Sequence, residues 1–339
     1  MNSKHQFEIS FIIPVFNGEQ TIIRCLDSIY GIGLEEGRFE VIVVDDCSTD
    51  RTLQLLEDYS ITHQNLVILH QAVNLKPGGA RNRGISCAKG TYIQFCDADD
   101  TIERGIISII DYAQNANLDM CHFHIAVDYS MKELNIPEKK VMDGKDFADR
   151  YYRMASDTGY FYSYLYATEF LHKVNRPFIE GRVHEDADWC EYHLWNAFRI
   201  AHVDSYLYSH YENPMSIMHT YNAKKEADSI MMCYRRLLFS ESIDSSSNYF
   251  KKEIQSHSKY WINTILSFRH RIIHTVKDIN TVFQNLESSA MDKISGMGFQ
   301  EWDFFPSLCI YHPTAAKCII ALLHPLVTFA KLMMKPVKK

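Results

Sequence analysis

The sequence is poor in the residues that punctuate or repeat a chain. It has only 14 glycines and 9 prolines in 339 residues, which excludes collagen-like and proline-rich repeats. No internal repeat of fixed period occurs. Its nine cysteines lie scattered from Cys25 to Cys318 without a Cys-x-x-Cys pair, so neither a zinc ribbon nor a thioredoxin-like dithiol is indicated. No uninterrupted apolar stretch has the length of a transmembrane helix. The first residues, Met1–Glu8, are polar and lack the apolar run of a signal peptide. The expected compartment is therefore reducing and cytoplasmic, with cysteines such as Cys96 held as buried thiols. An excess of positive charge is also missing: the formal net charge is −7, and nucleic acid is not an expected partner. What is present is material for a core. Hydrophobic residues are 46% and aromatic residues 13% of the chain, which rules out a mostly disordered protein. The length suits one large domain or two modest ones.

The first hundred residues alternate between strand and helix signals. Ile9–Phe16 is an apolar, β-branched run interrupted at Pro14, and Thr21–Tyr30 places Ile22, Leu26 and Ile29 on one helical face. Phe39–Val44 reads as a second strand. Thr52–Tyr59 reads as a helix that Asp50 can cap. Leu66–His70 is a third strand, Pro77–Ala88 a Gly-Gly turn with a helix, and Thr91–Cys96 a fourth strand. Continuous apolar strands separated by helices predict a largely parallel sheet covered on both faces. Gly105–Ala116 then reads as helix, Asp119–Asp128 as a strand with His122 and His124 on one side, and His202–Tyr208 as a short strand. Tyr151–Tyr166 is dense in tyrosine. Beyond Tyr221 the pattern is mainly helical.

Two acidic groups follow buried strands directly: Asp45-Asp46-Cys47-Ser48-Thr49-Asp50 and Asp97-Ala98-Asp99-Asp100. Strand ends are where ligands sit in open α/β sheets. Crowded carboxylates repel one another unless a cation compensates, and a divalent metal with oxygen ligands does so. Asp97 and Asp99 project to the same side of an extended backbone. The alternative is a solvated turn with Asp100 capping the next helix. Between the two groups lies Asn74-Leu75-Lys76-Pro77-Gly78-Gly79-Ala80-Arg81-Asn82-Arg83-Gly84. Its glycines permit close approach, and Lys76, Arg81 and Arg83 add the charge a phosphate requires. Its alternative is a surface helix whose arginines pair with nearby acids.

Phe11-Ile12-Ile13-Pro14-Val15-Phe16-Asn17, Val43–Asp50, Ala80-Arg81-Asn82-Arg83-Gly84 and Phe95-Cys96-Asp97-Ala98-Asp99-Asp100 occur in that order. Together they strongly resemble the family 2 glycosyltransferases, which use the GT-A fold. The resemblance is close over residues 8–115 and thinner to about residue 220. It implies an α/β architecture with a mostly parallel, nucleotide-binding central sheet flanked by helices. Residues 1–220 would form the catalytic domain (nucleotide-sugar half 8–115, acceptor half 116–220) and 221–339 a mainly helical C-terminal region.

The same resemblance implies transfer of a sugar from a nucleotide diphosphate donor, with a UDP-sugar as the family-level guess, to a glycan or lipid-linked acceptor. Pro14, Val15, Phe16 and Asn17 would approach the nucleotide, Asp45 would read the base with Asp46 beside it, and Lys76, Gly79 and Arg81 would lie near the phosphates. Asp97, Ala98 and Asp99 match the donor motif, with Asp97 and Asp99 as ligands for Mn²⁺ or Mg²⁺. Cys47 stands where the family usually has glycine, which a cysteine tolerates if φ stays negative. His184-Glu185-Asp186 matches the family's acceptor-half acidic element. Asp186 would be the general base and Glu185 the neighbour next in line; otherwise Asp186 simply caps a helix. His210 and Ser216, in His210–Ser216, either contact the diphosphate or form a surface turn.

The other readings are weaker. His270 and His274 share a helical face but find only Asp278 at the same spacing, so they read as ordinary helix histidines. Residues 304–339 carry two apolar clusters and five lysines with no acid, a composition that fits reversible contact with an inner membrane face or packing on the protein. Two further classes compete with the transferase. A sugar-phosphate nucleotidyltransferase would want a basic glycine-rich loop after the first strand, where Phe16-Asn17-Gly18-Glu19 stands. An inactive nucleotide- or glycan-binding scaffold would not need Asp97, Asp99 and Asp186 intact.

Overall fold

The computed structural model describes residues 6–126, 136–152, 157–211, 223–243 and 249–266. Ser216, His270, His274 and residues 304–339 lie outside the described residues. Strands β1 (Phe7–Val15), β2 (Phe39–Asp45), β3 (Leu66–His70), β4 (Gly90–Phe95), β5 (Thr101–Ile102), β6 (Met120–Ala126), β7 (Tyr164–Ala167) and β8 (Ile200–Ser209) form one sheet in the order β3-β2-β1-β4-β7-β6-β8-β5. The pairs β3–β2, β2–β1 and β1–β4 are parallel, β7 is antiparallel to both β4 and β6, β6–β8 is parallel, and β5 is antiparallel to β8. Six strands therefore run one way, and β7 and β5 reverse, giving the mixed sheet of a GT-A-like fold.

The helices of this half are α1 (Ile22–Tyr30), α2 (Thr52–Ser60), α3 (Lys76–Cys87), α4 (Ile106–Asn115), α5 (Gly144–Tyr151), α6 (Thr168–Val174) and α7 (Ala187–Asn196). Strand side chains alternate between faces. Phe11, Ile13, Val41 and Val43 join Ile22, Leu26, Leu56, Ile106 and Ile110 in the main core, while Ile42 and Val44 pack with Ala80 on the opposite face. Helix α3 comes close to the sheet because a Cβ on Gly84 would stand 2.4 Å from the Ile12 side chain.

Pro14 does not break β1: it stays in register with Val44. Pairing of β1 with β4 ends at Ile12 and Phe95, so the missing N–H falls where β4 has already left. The glycines of the 74–84 segment also differ from expectation. Gly78 and Gly79 form no turn but lie buried within α3, whose proline occupies the first turn. A Cβ on Gly78 would meet the Ile179 carbonyl oxygen at 2.5 Å and Glu185 Cγ at 2.8 Å. This glycine admits the segment that leads to Glu185 and Asp186.

The described residues divide into two compact units. The first holds the sheet, its helices and Tyr249–Lys251. The second holds α8 (Ala223–Ser242) and the remainder of α9 (Tyr249–Leu266). In the latter unit the buried Arg236 lies 2.6 Å from His257 Nδ1, and Trp261 Nε1 donates to His257 Nε2 at 2.9 Å. No helix of the described residues is long and apolar enough to cross a membrane.

Candidate active site

The site gathers at the ends of β1, β2 and β4, where the chain leaves the sheet in polar turns. The turn after β1 is tied to the turn after β2. Asn17 N donates to Ser48 Oγ at 2.9 Å, and Asn17 Oδ1 accepts from Thr49 N at 2.8 Å. Asp50 accepts from Glu19 N at 3.1 Å and from Thr52 N at 3.0 Å, so it fastens the first turn of α2 although Arg51 is the residue next to that helix. Phe16 is exposed in front of this pair of turns.

Asp45 and Asp46 face different partners. Asp45 is buried and sits 2.7 Å from His70 Nδ1, with Ser48 N donating to it at 3.3 Å. Asp46 accepts from Gln71 Nε2 and from Leu75 N, each at 2.7 Å, and burial pushes its carboxyl above the usual range. Lys76, at the start of α3 with φ 63°, is half-buried beside Asp46.

Cys47 corrects the sequence expectation: its φ is 68°, not negative. A side chain in the left-handed region costs roughly 1–2 kcal/mol, and glycine avoids that cost. Cys47→Gly is therefore expected to stabilise the protein by about 1 kcal/mol, since glycine's greater freedom in the unfolded chain offsets part of the gain. Urea denaturation of the two proteins measures it, and equal or lower stability of the variant refutes the strain at this position.

At the end of β4, Asp97, Ala98 and Asp99 form a half-buried turn closed by Asp100 N donating to the Asp97 carbonyl at 3.0 Å. Asp100 is fully buried and acts as an anchor rather than a helix cap. It accepts from the Tyr208 hydroxyl at 2.6 Å and from Tyr211 N at 2.9 Å, and it lies 3.1 Å from His210 Nδ1. The Tyr208 hydroxyl in turn accepts from Asp97 N at 3.0 Å. The end of β8 is thereby clasped to the acidic turn, which puts His210 beside it. The hydrogen bond to Asp100 raises the His210 pKa above its ordinary value. Arg24 of α1 donates to the Asp99 carbonyl and stacks on the Tyr211 ring at 4.2 Å.

Arg81 lies under this turn. Its side chain is almost wholly buried, with Nη2 donating to Asp97 at 2.8 Å and Nη1 to Glu185. Its guanidinium covers the Phe161 ring at 4.3 Å. Burial opposes the charge, but Asp97 and Glu185 outweigh it and raise the Arg81 pKa, with Asp186 adding to the effect. Burial pushes Glu185 up to about 7 against the pull of Arg81, and Asp186 pushes the same way. The arginine thus pairs with nearby acids, as the surface-helix reading supposed, but it does so from the interior, while Arg83 is exposed.

Glu185 and Asp186 part company at the start of α7. Glu185 is buried against Arg81. Asp186 occupies the position before the helix, stays half-buried and accepts no capping hydrogen bond. Its carboxylate is thus not consumed by the helix it precedes. The loop that delivers it is stiffened by aromatic packing: Trp189 stacks on Phe178 with centroids 4.2 Å apart, and Trp189 Nε1 donates to the Arg176 carbonyl at 2.8 Å.

The Glu185 shift has a measurable sign. Its folded pKa of about 7 lies above the ordinary 4.5, so its contribution to stability is fully present below about pH 4.5 and is lost as pH rises through 7. Glu185→Gln, a neutral stand-in for the protonated acid, is expected to remove that part of the pH slope. Urea denaturation of both proteins at pH 5 and pH 8 isolates the group. An identical slope in the two proteins contradicts the assignment.

Sequence reasoning missed Arg24, the Tyr208–Asp100 clasp and the tyrosines around it. Tyr162 stacks between Tyr160, at 5.3 Å, and Tyr208, at 4.7 Å. The tyrosine density of 151–166 was the available signal, but nothing in it pointed to β8.

Residues 10–170 match the family described as Glycosyl transferase family 2. It is 44% identical over 96 residues to a poly(ribitol-phosphate) beta-glucosyltransferase of Bacillus spizizenii, covering 28% of this chain and 15% of that protein. It is 30% identical over 218 residues to the uncharacterized glycosyltransferase EpsJ of Bacillus subtilis, covering 62% of each. These matches span less than two thirds of either relative. The crystal structure of Staphylococcus aureus TarS 1–349 in complex with UDP-GlcNAc superposes with a TM-score of 0.62 at 18% identity, over 96% of this chain and 92% of that one. That likeness establishes a shared fold.

Proposed function

We propose that this protein is an inverting glycosyltransferase that moves a sugar from a nucleotide diphosphate donor to a glycan or lipid-linked hydroxyl. The observation that carries the reading is Arg81, which bridges Asp97 of the donor motif to Glu185 beside Asp186. One buried cation thereby fixes the spacing between the donor side and the acceptor side. The relatives, named as transferases acting on poly(ribitol-phosphate) or binding UDP-GlcNAc, support a UDP-sugar and a surface-polymer acceptor.

In this reading residues 1–220 are the catalytic domain and 221–339 a helical accessory region. Pro14–Asn17 and Asp45 border the base, while Lys76, Gly79 and His210 lie toward the phosphates. Ser216 belongs to the same proposal. Asp97 and Asp99 offer carboxylate oxygens, the donor type that suits Mg²⁺ or Mn²⁺. The ion, when bound, neutralises charge that develops on the leaving diphosphate. Asp186 takes the proton from the acceptor hydroxyl as that oxygen attacks the anomeric carbon. Glu185 is too buried for that task, and its work is to hold Arg81. The protein acts on the cytoplasmic side, where nucleotide sugars are available to it.

Replacing Asp99 with Asn is expected to abolish most metal-dependent binding of UDP without unfolding the protein. Calorimetry with UDP in the presence and absence of Mn²⁺ reads it directly. Unchanged metal-dependent affinity in a folded Asp99→Asn protein would remove Asp99 from the metal site.

A further inference from the structure

A second cluster lies in the sheet away from Asp97 and Asp99. His124 on β6 and His202 and Asp204 on β8 each offer one ligand atom, and these atoms lie within 4.8 Å of one another. In the sheet order β7 and β6 separate β8 from β4, whose end carries Asp97. We propose that His124, His202 and Asp204 form a binding site for a divalent transition-metal ion of the zinc type, distinct from the donor-site metal.

The register of β6 and β8 builds the cluster. His122 pairs with His202, but His124 pairs with Tyr206, so β8 advances four residues while β6 advances two. Such an irregularity re-aims side chains. It leaves His124 with its ring centroid 4.7 Å from that of His202 and 5.0 Å from that of Tyr206, and its Nε2 3.3 Å from Asp204 Oδ1. The backbone at His202 is fixed from the far side, where Lys139 N donates to its carbonyl at 2.7 Å.

The donor set decides the kind of ion. Imidazole nitrogens with one carboxylate suit zinc and its neighbours, whereas the all-oxygen pair Asp97 and Asp99 suits magnesium or manganese. Donors on one tetrahedral zinc ion sit about 3.4 Å apart, given bonds of about 2.1 Å. The cluster needs only a small inward movement to reach that spacing. His122 Nδ1 lies 2.8 Å from His202 Nδ1. With the proton on His202 Nδ1, that contact orients the ring and leaves His202 Nε2 as the ligating atom, the usual arrangement around a metal-bound histidine. Both histidines are buried, and Asp204 is exposed. Three protein ligands leave a fourth position for water, and the bound ion would pin the irregular β6–β8 pairing.

Cobalt(II) is the probe, because its visible absorption reports coordination. The full chain, stripped with a chelator, is expected to bind one equivalent of Co²⁺ with the intense bands of four- or five-coordination, and Zn²⁺ is expected to displace it. Asp204→Asn, an exposed and structurally mild change, should weaken Co²⁺ binding at least about tenfold, and His124→Gln should abolish the bands. Asp99→Asn should leave them unchanged. Unchanged Co²⁺ affinity in folded Asp204→Asn, or bands that vanish in Asp99→Asn, overturn the proposal. So does a wild-type protein that shows only the weak bands of six-coordinate cobalt. Should His124→Gln fail to fold, Asp204→Asn decides the matter.

Discussion

Asp186→Asn is expected to cut sugar transfer at least about a hundredfold, the low end for loss of a general base, while donor binding stays normal. The geometry motivates the split. Asp186 makes no capping bond to α7 and is only half-buried, while Glu185 is buried against Arg81. Turnover at saturating donor, together with donor affinity from calorimetry, separates the two effects. Near-normal turnover in the variant would show that the proton goes elsewhere. A parallel loss of donor affinity would place Asp186 in donor binding instead.

Arg81→Met is expected to destabilise the protein by about 3–5 kcal/mol, the cost of leaving buried charge without its partner. Asp97 and Glu185 both lose their cation. The loss should be largest near pH 8 and smaller near pH 5, because Glu185 then takes up a proton, its pKa already standing at about 7 with Arg81 in place. Adding Glu185→Gln should recover part of the stability, since the two changes share one interaction. Urea denaturation across pH reads the wild type and both variants. A loss below about 1 kcal/mol, typical of an exposed ion pair, would contradict the buried bridge.

The alternation of strands and helices was legible because the strands of the first half are largely apolar runs, two of which, β2 and β4, lead directly into acids. β2, β3 and α2 fall within a residue of the sequence reading. The acidic turns were legible for the same reason: a motif of adjacent residues carries its own position. What sequence could not give was any feature made by strands far apart in the chain. The burial of Arg81 depends on Phe161, Phe178 and Glu185 closing over α3. The Asp100 anchor depends on Tyr208, which is 108 residues away. His122 and His124 were placed on one side of their strand, but their meeting with His202 follows from the β6–β8 register. The left-handed backbone at Cys47 was misjudged because the side chain argued for negative φ, while the turn between β2 and α2 imposes the opposite.

Mass spectrometry of the full chain incubated with a panel of nucleotide diphosphate sugars and Mn²⁺ tests metal-dependent turnover of a nucleotide sugar most directly. With one donor, free sugar and nucleoside diphosphate are expected to form slowly without acceptor, and this reaction should stop when the metal is chelated and be lost in the Asp99→Asn variant. Nucleoside monophosphate or sugar 1-phosphate as product, or no metal-dependent consumption of any donor, would contradict it.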